Sequence, residues 1–181
     1  MRYLCMAAML FFACGVQKDS DMVVKKTGVP YMNIAVKDYG TVVIELLPDA
    51  APKNVKNIIE LTDKGFYNNL IFHRVIKGFV IQGGCPNGDG TGDPGYEIED
   101  EISPQEKHLK GTVAMANRGP NTNGSQFYIC LEPQPRLDGR YTIIGRVVQG
   151  MDVVDRIGNV GTGQYDKPLA DVVMERVWIE K

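Results

Sequence analysis

The sequence predicts a mainly β fold, a closed β-barrel capped at its ends by two α-helices. Three observations carry this reading. Short runs rich in Val, Ile, Tyr and Phe recur along the chain, each bounded by Gly, Pro, Asn or Asp. Only two stretches repeat their apolar residues at helical spacing. Glycine is abundant, at 20 of 181 residues, which suits many tight turns. There are no internal repeats, and residues 31–181 read as one domain, long enough to bury a real core.

The elements follow in order. Residues 31–36 and 40–47 are β-like, joined by Lys37-Asp38-Tyr39. Residues 48–52 punctuate, and Pro52 is placed as the first residue of a helix. Val55, Ile58, Ile59 and Thr62 recur at helical spacing, and Gly65 closes that helix near Lys64. Residues 72–76 and 79–81 are two short strands meeting at the turn signal Lys77-Gly78. Residues 85–106, dense in Gly, Pro, Asp and Glu, form an ordered loop. Strands are expected at 110–115 and 126–130, a loop at 132–137 around Pro133 and Pro135, a strand at 140–148 and a short helix at 151–157. A last strand, 172–180, is expected to carry Val172, Met174, Arg176 and Trp178 on one face, with Trp178 in the core.

Residues 1–13 stand apart from this domain. Arg2 supplies a positive start to an apolar run, residues 3–13, which is too short to span a bilayer as a helix, since that takes ~20 residues. It reads as a secretion signal. Phe11-Phe12-Ala13-Cys14-Gly15 resembles a bacterial lipoprotein lipobox with Cys14 as the lipidation site, although Phe11 stands where Leu is usual. Cleavage before Cys14 removes one base, Arg2, and no acid, taking the net charge from −2 to −3. Residues 14–30 are polar, charged and aperiodic, a flexible spacer. The expected location is therefore outside the cytoplasm, on a membrane-anchored lipoprotein facing periplasm or cell surface.

Charge and composition exclude several classes. A net charge of −2 and a pI of about 5.7 do not suit a nucleic-acid partner. The two histidines, His73 and His108, have no metal-ligand spacing with a cysteine pair, so no metal is expected. Cys85 and Cys130 are read as unpaired, and a monomer is expected.

Two stretches carry the chemistry. In the first, Arg74 is a charge in an apolar run. Strand alternation puts Phe72, Arg74 and Ile76 on one face and His73 and Val75 on the other, so His73 reads as structural. Val80 and Gln82 share a face of the next strand, so Arg74 and Gln82 point into one hollow. Gly83-Gly84 allows a close backbone approach. The second stretch is an Asn-, Gly- and Pro-dense loop after Met115 that runs into the strand at Gln126.

The strings FHRVIKGFVIQGG (72–84), GTG (90–92), MANRGPNTNGSQFYI (115–129) and LDGRYTIIGRVVQGMDVVDRI (137–157) resemble the cyclophilin family of peptidyl-prolyl cis-trans isomerases, and the resemblance covers residues 31–181. It implies eight antiparallel strands, no cofactor and proline-containing polypeptides as substrates; joined to the secretion signal, the expected role is to assist the folding of exported proteins. It implies a catalytic set of Arg74, Phe79, Gln82 and Asn117. Phe79, Val80, Tyr128, Leu137 and Tyr141 would form an apolar cup for the proline ring. Gln82 would bond the substrate backbone, and Asn117 would pair through its own backbone with the residue before proline, flanked by Ala116 and Arg118. Gln126 and Gly90 would line the neighbouring groove. The chain departs from the family pattern at Val80, often Met, at Tyr128, often Phe, and at Tyr141, often His. It departs also at Arg136, where an aromatic residue, often Trp, helps hold the cyclic peptide cyclosporin.

Two other readings compete. A chaperone or scaffold module would hold proline-containing segments with little turnover, but ground-state binding needs no charge at the amide nitrogen, and Arg74 supplies one. A small-molecule barrel such as a lipocalin would need a long apolar inner face and no Asn-rich loop. Asp138-Gly139 reads simply as a turn.

Overall fold

Alternation along each apolar run produces one row of side chains per face, and in the computed structural model, which describes residues 26–181, eight strands curl so that one row from each meets inside a closed barrel. The strands are β1 (Tyr31–Val36), β2 (Gly40–Leu46), β3 (Leu70–Ile76), β4 (Val80–Gly83), β5 (Thr112–Met115), β6 (Phe127–Cys130), β7 (Ile143–Gln149) and β8 (Val173–Glu180). Around the barrel they run β1-β2-β7-β5-β6-β4-β3-β8, and every pairing is antiparallel. Closure leaves no free sheet edge. Ile34, Ile44, Phe72, Ile81, Phe127 and Ile129 are buried in the interior. The helices α1 (Pro52–Asp63) and α2 (Met151–Ile157) add Val55, Ile58 and Leu61, and Val153, Val154 and Ile157, to the same core. The secretion signal, Cys14 and most of the spacer lie outside the described residues.

Helix α1 begins at Pro52, whose missing N–H is no loss in a first turn. Its first turn has no acid of its own and no side-chain cap from Ala51. Glu101, from the long loop, fills the role: its carboxylate accepts the N–H groups of Lys53 (3.1 Å) and Asn54 (2.9 Å). A negative charge there also opposes the positive end of the helix dipole.

Strand boundaries shift by a few residues: β4 starts at Val80 rather than 79, β6 at Phe127 and β7 at Ile143. One 3-10 turn, Pro135–Leu137, sits in the segment read as a loop, and a second, Gln164–Asp166, lies between α2 and β8. Two expectations about faces are corrected, both because a bulge inserts one residue. In β3, Phe72 is opposite Gly83 but Arg74 is opposite Gln82, so His73 is the extra residue. Phe72 and Val75 therefore both enter the core, and His73 lies beside Arg74, lining the same hollow rather than the opposite face. In β8, Met174 is opposite Val36 and Arg176 opposite Ala35, so Glu175 is extra. Val177 takes the inward place, Arg176 is exposed, and Trp178 is half-buried under the Arg176 guanidinium, 5.2 Å from the ring centroid, rather than in the core.

The close approach made by the double glycine is to the chain itself. Gly84 has φ +83°, and a Cβ there would lie 2.4 Å from the Ser125 carbonyl oxygen. Cys85 and Cys130 are both buried, and among the described residues neither forms a disulfide. Burial pushes the Cys130 thiol up to about 12, which leaves it protonated and unreactive.

Candidate active site

The alternation that sends Ile81, Ile129 and Val113 into the barrel sends Val80, Gln82, Tyr128 and Ala114 out of it. A second apolar cluster forms on this outer face: Val80, Ala114, Tyr128, Cys130 and Ile143, with Phe79, Ala116, Leu137 and Tyr141 packed against it. Leu137 arrives from the 3-10 turn and Tyr141 from the segment entering β7. Together they enclose a hollow of about 130 Å³. Its apolar wall is Phe79, Val80, Ala116, Tyr128, Leu137 and Tyr141; its polar edge is Arg74, Gln82 and Asn117. Tyr128 and Tyr141 meet edge to face, with centroids 5.9 Å apart. The Arg136 guanidinium carbon sits 4.6 Å from the centroid of Phe79, a cation over the rim of this hollow.

A second, smaller hollow of about 80 Å³ adjoins it through Gln82, Ala116 and Asn117, and brings in Gly90, Arg118 and Gln126. The residues named for the cup and for the neighbouring groove thus fall in two adjoining hollows; Cys14 lies outside the described residues. Gln126 does more than border a strand. Its Nε2 donates to the carbonyls of Gly90 and Gly92, each at 2.9 Å, and its Oε1 accepts from Gln82 Nε2 at 3.0 Å. Gln82 Oε1 accepts from Arg74 Nη1 at 3.4 Å. Because guanidinium only donates, this orients the Gln82 amide with oxygen toward Arg74 and nitrogen toward Gln126. The side chain of Asn117 is tied to Asp100 (3.3 Å) and Asn123 (3.2 Å), so it braces its loop. Arg118 pairs with Asp93 at 2.9 Å, which holds that carboxyl below its ordinary value.

On the other side of Arg74 a larger hollow of about 620 Å³ is bordered by His73, Asp89, Tyr165, Asp166 and Lys167. Burial lowers the pKa of His73, and neither of its ring nitrogens has a hydrogen-bond partner among the described residues. Asp166 Oδ2 lies 3.5 Å from Arg74 Nε.

Sequence reasoning missed two features. One is Asp166. The other is a buried chain behind the apolar wall: the Tyr128 hydroxyl is 2.9 Å from His108 Nε2, and His108 Nδ1 is 2.9 Å from Asp138 Oδ1. Asp138 also accepts the His108 backbone N–H at 2.8 Å, the main reason its carboxyl titrates below the usual range. An ionised Asp138 accepts, so Nδ1 carries the imidazole proton, and Nε2 accepts from the Tyr128 hydroxyl. Burial keeps His108 below its ordinary pKa although Asp138 pulls the other way. No local pattern announces this chain: His108 is 20 residues from Tyr128 and 30 from Asp138.

The comparisons agree with this geometry. The family model described as cyclophilin type peptidyl-prolyl cis-trans isomerase/CLD matches residues 31–179. Peptidyl-prolyl cis-trans isomerase CYP18-2 of Arabidopsis thaliana is 46% identical over 141 residues, spanning 76% of this chain and 86% of the relative. Peptidyl-prolyl cis-trans isomerase-like 1 of Neurospora crassa is 51% identical over 137 residues, 74% of this chain and 84% of the relative. The crystal structure of a Cryptosporidium parvum cyclophilin type peptidyl-prolyl cis-trans isomerase matches with TM-score 0.81 and 36% identity, covering 84% of this chain and 98% of that one. The same protein in the presence of the dipeptide Ala-Pro matches with TM-score 0.79, again at 36% identity, covering 83% and 99%. A closed eight-stranded barrel with an outward apolar hollow edged by an arginine, together with these matches, establishes that the chain belongs to the cyclophilin-type peptidyl-prolyl cis-trans isomerases.

Proposed function

We propose that Arg74 is the catalyst and that the hollow between Phe79, Val80, Tyr128, Leu137 and Tyr141 takes the proline ring. The observation that carries this reading is the position of one guanidinium on the polar edge of a hollow whose wall is apolar. Resonance makes rotation about the peptide bond cost ~18–20 kcal/mol. No bond breaks, so no nucleophile or metal is needed, only a site that favours the twisted amide over both planar forms. Twisting returns a lone pair to nitrogen, and Arg74 donates to it. Arginine suits the task because it stays charged and presents a rigid fork of donors. A charge-assisted bond contributes about 1.5–3 kcal/mol, whereas a thousandfold acceleration takes about 4 kcal/mol. Apolar enclosure of the ring and alignment of the substrate backbone by Gln82 and Asn117 supply the difference.

The substrates are proline-containing polypeptides, a reading supported by the Cryptosporidium relative having been crystallised in the presence of Ala-Pro. The rival reading, a binding module with little turnover, is separated by one protease-coupled isomerisation assay. The Arg74→Ala protein keeps its circular dichroism and turns over roughly a hundredfold more slowly, a loss of ~3 kcal/mol in the transition state. Unchanged activity overturns the assignment.

The apolar run at residues 3–13 and the lipobox-like Phe11-Phe12-Ala13-Cys14 support a lipid-anchored isomerase that assists exported proteins in folding. A single acyl chain binds membranes only marginally, so stable tethering calls for more than one chain on Cys14. Mass spectrometry of membrane-extracted protein tests this; an unmodified mature terminus elsewhere excludes it.

A further inference from the structure

We propose that Asp166 is a positioning residue for Arg74, delivered by the tip of a backbone hairpin. The proposal rests on the reading of Arg74 as the catalyst.

Among the described residues Arg74 makes one side-chain hydrogen bond, from Nη1 to Gln82, and one ion pair, between Nε and Asp166 at 3.5 Å. The two flank the guanidinium at its Nη1 and Nε corners, and Nη2 is engaged by neither. Asp166 comes from a different part of the barrel, between α2 and β8. There the chain doubles back on itself: Gly163 N–H donates to Lys167 O (2.8 Å), Leu169 N–H donates to Gly161 O (2.9 Å), and Thr162 bridges Pro168. At the tip Tyr165 and Asp166 have φ of 60° and 59°. Lys167 N–H donates to Gln164 O (3.3 Å), closing the two left-handed residues into the primed turn that suits a two-residue hairpin, where Tyr165 and Asp166 stand in place of the more usual Asn and Gly. Of the two tip residues Tyr165 is 84% exposed, and Asp166 is the one that reaches Arg74.

The Arg74 and Asp166 side chains are 39% and 47% exposed, and an ion pair so open to water contributes little to folding. What the geometry provides is orientation. An arginine side chain has many rotamers, and the reaction needs one of its N–H groups aimed at a nitrogen that accepts only while the amide is twisted. Holding the guanidinium in advance removes that search from the activation barrier. The other titratable groups bordering this hollow are His73, Asp89 and Lys167, and Arg74 is the cation within 4 Å of Asp166.

The experiment compares kcat and KM of the full chain with those of Asp166→Gly, Arg74→Ala and the double variant. Glycine removes the carboxylate and relieves the left-handed backbone. The expected result is a melting temperature equal to or above that of the wild type, kcat lower by about threefold to tenfold, and KM within about twofold. In the Arg74→Ala background the same change has no further effect, because two residues acting through one contact are not additive. The proposal is overturned if Asp166→Gly retains kcat while Arg74→Ala loses it, or if glycine lowers kcat by the same factor with and without Arg74. Full activity of Arg74→Ala overturns the reading of the catalyst and this proposal with it.

Discussion

The Tyr128 hydroxyl donates to His108 Nε2 across 2.9 Å, joining the wall of the apolar hollow to a histidine whose side chain is completely buried. Tyr128 stands where cyclophilins often carry Phe, so the hydroxyl is an addition that the fold had to accommodate. Tyr128→Phe leaves Nε2 buried with no donor. The expected cost is about 1–3 kcal/mol of stability, the penalty of an unsatisfied buried acceptor. Denaturant unfolding of the two proteins checks it, and equal midpoints would show that the bond carries no stability.

Burial holds His108 below its ordinary value of 6.5, so the folded state disfavours the imidazolium more than the unfolded chain does. The stabilisation from neutral His108 is therefore fully present above pH 6.5 and is lost as pH falls from there toward the lower folded value. His73, lowered by its own burial, acts in the same direction. Wild type is expected to be more stable than His108→Gln at pH 7.5, with the gap narrowing by pH 5. A gap that widens on acidification would mean that Asp138 outweighs burial and that His108 is charged in the folded protein.

Arg136 covers Phe79 with a guanidinium where cyclophilins often place an aromatic ring. An apolar macrocycle laid over this position must strip water from the charge and forgo the aromatic contact and ring N–H. Losing one well-placed hydrogen bond and its aromatic partner is worth about 2–3 kcal/mol, roughly thirty- to a hundredfold in affinity. Cyclosporin is expected to inhibit the wild type weakly and Arg136→Trp more strongly by about that factor, in an inhibition titration. Tight inhibition of the wild type removes Arg136 as the determinant.

Gly84→Ala is expected to unfold the protein or to cost more than about 3 kcal/mol. The added Cβ meets the Ser125 carbonyl oxygen at 2.4 Å in a backbone of φ +83°, at the junction that carries Gln126 toward the hollow. Thermal denaturation of the soluble fraction measures it; a wild-type midpoint would show that β6 can retreat.

Much of the barrel was legible because its causes are local. Period-two alternation marks strands, Pro52 marks a helix start, and Lys77-Gly78 marks a turn, each within a few residues. The sharing of one hollow by Arg74 and Gln82 was legible for the same reason, since a short hairpin makes them direct partners. The recurrent strings supplied the remaining residues of the hollow by resemblance.

What only the tertiary structure decided depends on a partner far along the chain. The bulge at His73 exists because β4 offers one residue fewer than β3, and that count is not written in β3. The second bulge, at Glu175, turned Arg176 and Trp178 off the core face in the same way. His108 from the loop before β5, Tyr128 from β6 and Asp138 from the turn before β7 come together, and Asp166 reaches Arg74 across 92 residues. Side-chain periodicity is set by the backbone of one strand, whereas register and polar pairing are set by which strands the closed barrel brings side by side. The sequence by itself therefore determined the elements and the arginine in its apolar setting, and the closure of the barrel determined what holds that arginine and what stands behind the wall beside it.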